Sequence, residues 1–522
     1  MQVRLLLPAL TEATSPDFRP IKYSLFPPLG LATLAGYLRD DDEVTIQDEH
    51  VEVLDLGPRP DLVAIEVYIT SARRAYAIAD GYRKRGVHVA LGGLHVTSVP
   101  EEAAQHADTI FLGPGEDTWP RFLADLRAGR PGRVYRSIRR SLAGAPPPRR
   151  DLIRRSLYLV PNSIVVSRGC PHRCDFCYQD SFFGPGRRHY TQAVDDAVAE
   201  IDRLPGRHVY FLDDNLFASP RFAAELLREM RGMRRVWQAA GTVHSVLSSG
   251  LIEPAARVGL RSLFIGFETL NRSNLVASGK PHQTQTDAAQ AISRLKSLGV
   301  MVNASFVFGM DMDDESVFDR TVQWAIEQGV ETATFHILTP YPGTRLHARL
   351  AAEGRILHRD WDRYDTRHAV FRPARMSRTA LETGYRRAHR DFYSWSSIFR
   401  AASHQPSLRG RLRHAAYAGG WKKLERFWDA VIRARQVGRL IPVLEATLDM
   451  AARSTARQLT PTPSSPGPRE ALRFGTSTTS GAVPHSVHTL AVRRPVTART
   501  YERRCPNGRP RSAGSDAVLP RR

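Results

Sequence analysis

VVSRGCPHRCDFCYQD, residues 165–180, closes a short apolar run, NSIVVSRG (162–169), and then places three cysteines at Cys170, Cys174 and Cys177. The spacing is Cys-x-x-x-Cys-x-x-Cys, and the only other cysteine among 522 residues is Cys505. Disulfide scaffolds are small, secreted and dense in cysteine, so thiols clustered in a chain of this size point to a metal. Structural zinc takes four protein ligands, usually as separated pairs. Here three thiols stand alone, and His172 sits inside the loop where a fourth bond is geometrically awkward. Three thiolates on a four-iron cluster leave one iron open to a further ligand.

Downstream of this loop the sequence alternates strands and helices. A helix is expected over 191–204, a strand at HVYFLDDN (208–215) and a helix over 219–231. The series continues through SLFIGFETL (262–270), VMVNASFVFGM (300–310) and TATFHILTP (332–340). Repeated strand–helix units over such a length predict a barrel or partial barrel, with chemistry at the carboxyl ends of its strands. Asp213, Asp214, Asn215 and Glu268 occupy such ends, and His336 and Tyr341 lie near the last one.

Upstream, residues 1–130 repeat the alternation with shorter strands: VRLLLP (3–8), EVTIQD (43–48), DLVAIEVYI (61–69), HVALGG (88–93) and TIFLGPGE (109–116). Helical patterns lie between them at 30–40, 71–86 and 117–129. Fully apolar strands separated by amphipathic helices predict a doubly wound α/β sheet. Ligands of such sheets sit beyond the strand ends, which here carry Thr70, Ser71, Gly93, His95 and Gly113.

Composition is that of a globular chain, 42% hydrophobic and 24% charged. No stretch reaches the length of apolar sequence that crosses a membrane. The N-terminus, MQVRLLLPALTEATSPDF, lacks a basic leader and a small-residue cleavage site, so it reads as a strand and the cytoplasm is expected. The net charge is +21, of which residues 453–522 contribute about +10 from 13 Arg against 3 acids. That tail is rich in Pro, Ser, Thr and Gly and is expected to be disordered. The division expected is 1–142, a linker at 143–160 containing AGAPPPRR, 161–345, a mainly helical 346–450 and the basic tail 451–522.

Taken together, the cysteine motif with Tyr178 beside its third thiol resembles the radical S-adenosylmethionine (SAM) signature. The stretches PPLGLATLAGYL (27–38), GGLHVTSVPEEAAQHAD (92–108), GPGEDTWP (113–120), FLDDNLF (211–217), GFETL (266–270) and YPGTRL (341–346) resemble proteins joining a cobalamin-binding domain to a radical SAM barrel. The resemblance covers most of the chain and extends to the class B radical SAM methyltransferases. It implies a Rossmann-like cobalamin domain, a (β/α) partial barrel and a helical C-terminal extension. It also implies three cofactors: a 4Fe–4S cluster on Cys170, Cys174 and Cys177, SAM, and cobalamin. SAM contacts would come from Glu268 at the ribose, from Asp213, Asp214 and Asn215 at the amino group, and from Tyr178 packing beside the cluster. Corrin contacts would come from Thr70, Ser71, Gly93, His95 and Gly113. One departure stands out: the Asp-x-His-x-x-Gly motif that supplies an axial histidine in methionine-synthase-type domains does not occur.

The chemistry implied is reductive cleavage of SAM to a 5′-deoxyadenosyl radical, fed by a low-potential donor such as flavodoxin or ferredoxin. Methyl transfer to an unactivated carbon or phosphorus of a small metabolite or lipid precursor is the first reading. An oxidative cyclase or ring-rearranging enzyme is the second. A metal-bearing nucleic-acid-binding or RNA-modifying protein is the third, against which stands the lack of a separate RNA-binding module.

Overall fold

The structure is a computed structural model that describes residues 1–14, 25–184, 186–281, 283–420 and Val431. The basic tail, Cys505 and nearly all of the helix expected beyond residue 420 lie outside the described residues. The described residues belong to one compact unit.

The N-terminal part carries a six-stranded parallel sheet built from β1 (Gln2–Leu7), β2 (Glu43–Asp48), β3 (Leu62–Glu66), β4 (His88–Gly92), β5 (Thr109–Leu112) and β6 (Val134–Arg136). Their order is β2-β1-β3-β4-β5-β6, all parallel. Every residue of β1 from Val3 to Leu7 is buried, as a strand covered on both faces requires. The helix Ala72–Arg83 buries Ala72, Ala75, Tyr76, Ala79 and Tyr82, the spacing of one helical face. Winding reverses between β1 and β3, so the crevice beyond their carboxyl ends is the expected ligand position.

The second sheet contains β7 (Ser163–Ile164), β10 (His208–Phe211), β11 (Val236–Gly241), β12 (Leu260–Glu268), β13 (Met301–Phe308) and β14 (Thr332–Ile337). Between β7 and β10 the chain forms a separate antiparallel ribbon of β8 (Ser167–Gly169) and β9 (His189–Thr191). The order β14-β13-β12-β11-β10-β7, parallel throughout, is that of an open partial barrel. A ladder of stacked rings, Phe267 on Phe306 and Phe306 on Phe335, each 5.8 Å apart, faces Trp324 of the covering helix Val317–Glu327.

Three elements differ from the sequence reading. The run NSIVVSRG is two strands rather than one. Asp213 at the end of β10 accepts the amide N–H groups of Val166 and Ser167, which draws the chain out of the sheet into the ribbon. β11, VWQAAG, carries no run of branched residues and went unseen, yet it is a central strand. β6 is three residues long, too short to leave a periodic signal.

Beyond the barrel, helices Arg378–Phe392, Trp395–Ser403 and Leu408–Ala418 each begin at a serine. Ser377, Ser394 and Ser407 accept the N–H of Ala380, Ser397 and Gly410, caps contributing about 1 kcal/mol apiece. The last helix buries His414 against Gln405 (3.2 Å). Burial, then the charges of Lys296 and Arg413, lowers its pKa to about 4. Between about pH 6.5 and 4 the unfolded chain binds a proton here that the folded chain refuses. Stability at this site is therefore complete above pH 6.5 and falls by roughly 3 kcal/mol as pH drops to 4. Urea midpoints of wild type and His414→Gln at pH 7 and pH 5 check this: the variant should show the smaller fall.

Candidate active site between the two sheets

The cysteine loop is held at both ends by the β8–β9 ribbon, in which Gly169 pairs with His189. Gly169 has φ +78, and a Cβ there would stand 2.0 Å from the carbonyl oxygen of Arg188. Only glycine lets the two chains close at the mouth of the loop. Further along, the Asp175 N–H bonds the Ser278 carbonyl (3.2 Å), the Leu346 N–H bonds the Asp175 carbonyl (3.0 Å), and Asp180 pairs with Arg188 (2.6 Å) and Arg345 (3.1 Å). The loop is thus stitched to the helix Arg272–Ala277 and to the segment after β14.

None of the three cysteines is in a disulfide; Cys174 is buried, and Cys170 and Cys177 are half-buried. Burial pushes their pKa values up, to about 11 for Cys174 and about 12 for Cys177. Thiolates in this position need positive charge close by, as an iron cluster would supply. Lys280 contributes some, lowering Cys170 and Cys174. Its ammonium lies 2.6 Å from Glu268 Oε1 and 3.1 Å from the Gly266 carbonyl. Burial opposes the charge on Lys280, but Glu268 and the thiols outweigh it and leave its pKa raised.

Glu268 ends β12 at φ +64, where the register to β13 slips between Gly266 and Glu268. A bulge and a left-handed non-glycine residue together re-aim one side chain, at a cost of about 1–3 kcal/mol. At the end of β10, Asp213 accepts the Ser167 N–H (2.5 Å) and hydroxyl, and burial raises its pKa to about 6. It anchors the ribbon. Asp214 accepts the Tyr178 hydroxyl (2.9 Å) and is exposed at the wall of a cavity. Asn215 is buried and has its Oδ1 without a partner.

That cavity, about 390 Å³, opens between the two sheets. Gly92, Gly93, Gly113 and Gly115 at the ends of β4 and β5 line one side; Arg168, Tyr178, Phe182 and Asp214 line the other. Gly93 has φ +108, and a Cβ there would meet the Val67 carbonyl oxygen at 2.9 Å. Thr70, Ser71 and His95 do not line it. The Ser71 hydroxyl bonds the Tyr68 backbone, the Thr70 carbonyl accepts the Thr11 hydroxyl, and His95 packs edge-on to Trp361 beside Glu102. His336 and Tyr341 are likewise outside it, His336 beside the Thr366 hydroxyl (3.2 Å).

Several participants carried no local signal. Arg168 on β8 binds Glu116 from the other domain (2.7 Å) across the cavity wall. Replacing Arg168 with Met leaves Glu116 enclosed and unpaired, and should cost about 3–5 kcal/mol in a denaturant titration. Asp48 and His50, in the partial sequence Asp-Glu-His after β2, pair at 2.7 Å. The other ring nitrogen of His50 accepts the Leu10 N–H (3.2 Å), so the pair serves the fold of the switch point.

The residues present fit the cofactors expected. Three closely spaced thiols, one buried and two half-buried, suit a cluster, whose ligands sit on separate irons. Among the described residues no three His, Cys, Asp or Glu side chains converge on a single ion. For a corrin, the cavity offers glycine-lined, mainly apolar walls.

A doubly wound domain facing a partial barrel that carries a three-cysteine loop defines a cluster-dependent enzyme of two-domain α/β type. The radical SAM superfamily model matches residues 164–325 and the B12-binding domain model residues 23–123. Bacteriochlorophyllide d C-12(1)-methyltransferase of Chlorobaculum tepidum is 28% identical over 394 residues, covering 73% of this chain and 85% of that one. In fold, the chain is similar to the radical SAM methyltransferase TsrM of Kitasatospora setae, solved with cobalamin and a [4Fe–4S] cluster (TM-score 0.58, 17% identity, 85% and 99% covered). It is also similar to the cobalamin-dependent radical enzyme OxsB (TM-score 0.60, 13% identity, 88% and 80% covered). The chain thus carries a radical SAM domain with a B12-binding domain ahead of it, and is homologous to cobalamin-dependent radical SAM methyltransferases. It is an enzyme of small molecules whose cofactors are a 4Fe–4S cluster, SAM and cobalamin.

Proposed function

We propose that the protein transfers a methyl group to an unactivated carbon of a small, largely apolar metabolite or lipid precursor. The observation that carries this is a cavity lined on one side by the strand ends of the B12-binding domain and on the other by Tyr178 and Phe182, which follow the third cysteine. The methyl-transferring relative, matched over 85% of its length, supports the same reaction type.

In this reading Cys170, Cys174 and Cys177 hold the cluster. Bound in this place, cluster, SAM and corrin supply one-electron cleavage and a transferable methyl group. The chain's own residues bind and orient. Asp214, fixed by the Tyr178 hydroxyl, receives the ammonium of SAM. Glu268, fixed by Lys280, receives a ribose hydroxyl. Asp213 holds the ribbon, and Gly93 and Gly113 give the corrin room. The apolar walls keep water from the reacting carbon. A flavodoxin or ferredoxin in the cytoplasm supplies the electron. The domain division is the one read from the sequence, with the linker at 143–160.

The test is an anaerobic assay of reconstituted enzyme with hydroxocobalamin, a strong reductant and SAM deuterated in its methyl group. S-adenosylhomocysteine and 5′-deoxyadenosine should form together, and label should appear in a carbon-bound methyl. Formation of 5′-deoxyadenosine with a cyclised, unlabelled product would replace methyl transfer by the cyclase reading.

A further inference from the structure

The two last described helices present an apolar surface that a folded core does not explain. Trp395 and Phe399, one turn apart on the first, are 51% and 59% exposed; Leu408 and Leu412, one turn apart on the second, are 72% and 64% exposed. The opposite faces of the same helices are buried, through Ile398, Ala401, Ala402, His414 and Ala418. Both helices therefore dock on the barrel by one side and carry large hydrophobic groups on the other. Isolated exposed apolar residues are ordinary; paired ones at i, i+4 on two consecutive, mutually packed helices are not.

Charge says what covers them. From Trp395 to Gly420 the chain has Arg400, Arg409, Arg411 and Arg413 and no Asp or Glu. Arg400, Arg409 and Arg411 are exposed. Arg400 bonds the Gln323 side chain and Arg411 the Gln405 carbonyl, contacts that leave their charge uncancelled, whereas Arg413 turns inward to the Gly299 carbonyl. The sequence continues in kind over residues 421–440, with six Lys or Arg against two acids and with Trp421, Phe427 and Trp428. Aromatic and leucine side chains rimmed by arginine suit an interface that is apolar inside and anionic at its surface. No helix among the described residues is long and apolar enough to cross a membrane, so the contact is with a surface.

We propose that the face formed by Trp395, Phe399, Leu408, Leu412 and the arginines beside them seats the protein on an anionic lipid bilayer. The apolar groups enter the headgroup boundary, and the guanidiniums meet lipid phosphates. This claim is independent of the reaction carried out in the cavity.

Flotation of the full-length, cluster-loaded protein with phosphatidylcholine vesicles, with and without phosphatidylglycerol, tests it. The C-terminal arginines also attract anionic vesicles, so the diagnostic quantity is binding that survives raising salt from about 0.1 to about 0.5 M. Wild type should float with phosphatidylglycerol vesicles at both salts. The triple variant Phe399→Ser, Leu408→Ser, Leu412→Ser should lose that binding by about tenfold or more at the higher salt. Arg400→Gln with Arg409→Gln and Arg411→Gln should abolish the preference for phosphatidylglycerol. Thermal unfolding and 5′-deoxyadenosine formation report that both variants remain folded. Flotation of the serine variant equal to wild type overturns the proposal. So does equal binding to neutral vesicles, a serine variant that differs only in oligomeric state, or competition by RNA that displaces the protein from vesicles.

Discussion

Changing Gly169 to Ala should empty the cysteine loop of iron while leaving both sheets folded. The new methyl group would stand 2.0 Å from the Arg188 carbonyl oxygen, a backbone atom with no flexible side chain to yield. The φ of +78 adds strain of its own for any residue with a Cβ. Together these exceed the roughly 3 kcal/mol at which a strained position persists only if its surroundings force it. Relief comes by parting β8 from β9, which separates Cys170 from Cys174 and Cys177. Iron per chain after anaerobic reconstitution should fall to about a tenth of wild type or less, with far-ultraviolet circular dichroism unchanged. Wild-type iron in this variant would mean that the ribbon does not set the loop.

The second large effect concerns Glu268. Its carboxylate and the Lys280 ammonium are 2.6 Å apart with side chains 11% and 14% exposed, so each is the principal counter-charge of the other. Glu268→Ala leaves an enclosed ammonium facing only the Gly266 carbonyl and the sulfurs. Breaking such a pair from one side costs about 3–5 kcal/mol, whereas replacing both partners with apolar groups is often neutral. Guanidinium unfolding should place Glu268→Ala well below wild type and the double variant Glu268→Gln, Lys280→Met close to it. SAM-dependent 5′-deoxyadenosine formation should be lost in both. A double variant that is stable and fully active would remove Glu268 from the cofactor site.

How much of this was legible in the residue string follows from where each signal resides. The cysteine loop is a local pattern, so the spacing of Cys170, Cys174 and Cys177 is plain in the residues themselves. The long apolar strands of both sheets were equally plain, since burial on two faces writes continuous hydrophobic runs. β11 was missed because Gln238, Ala239, Ala240 and Gly241 gain their place from neighbours on either side, not from propensity. Candidates chosen as strand ends shared a position along the chain but not a direction. Gly93 and Gly113 reach the cavity, while Ser71 turns back to its own backbone and His95 packs on Trp361. Lys280 and Arg168 matter through partners 12 and 52 residues away, a distance no periodicity reports.

Three neighbouring sulfurs gripping one iron–sulfur cube is the claim on which the cavity's chemistry depends, and electron paramagnetic resonance of the dithionite-reduced, reconstituted protein addresses it directly. Wild type should give the signal of a reduced 4Fe–4S cluster that changes shape on adding SAM, and Cys174→Ala should give neither signal nor bound iron. A Cys174→Ala protein with the wild-type signal, or a wild-type signal indifferent to SAM, would contradict it.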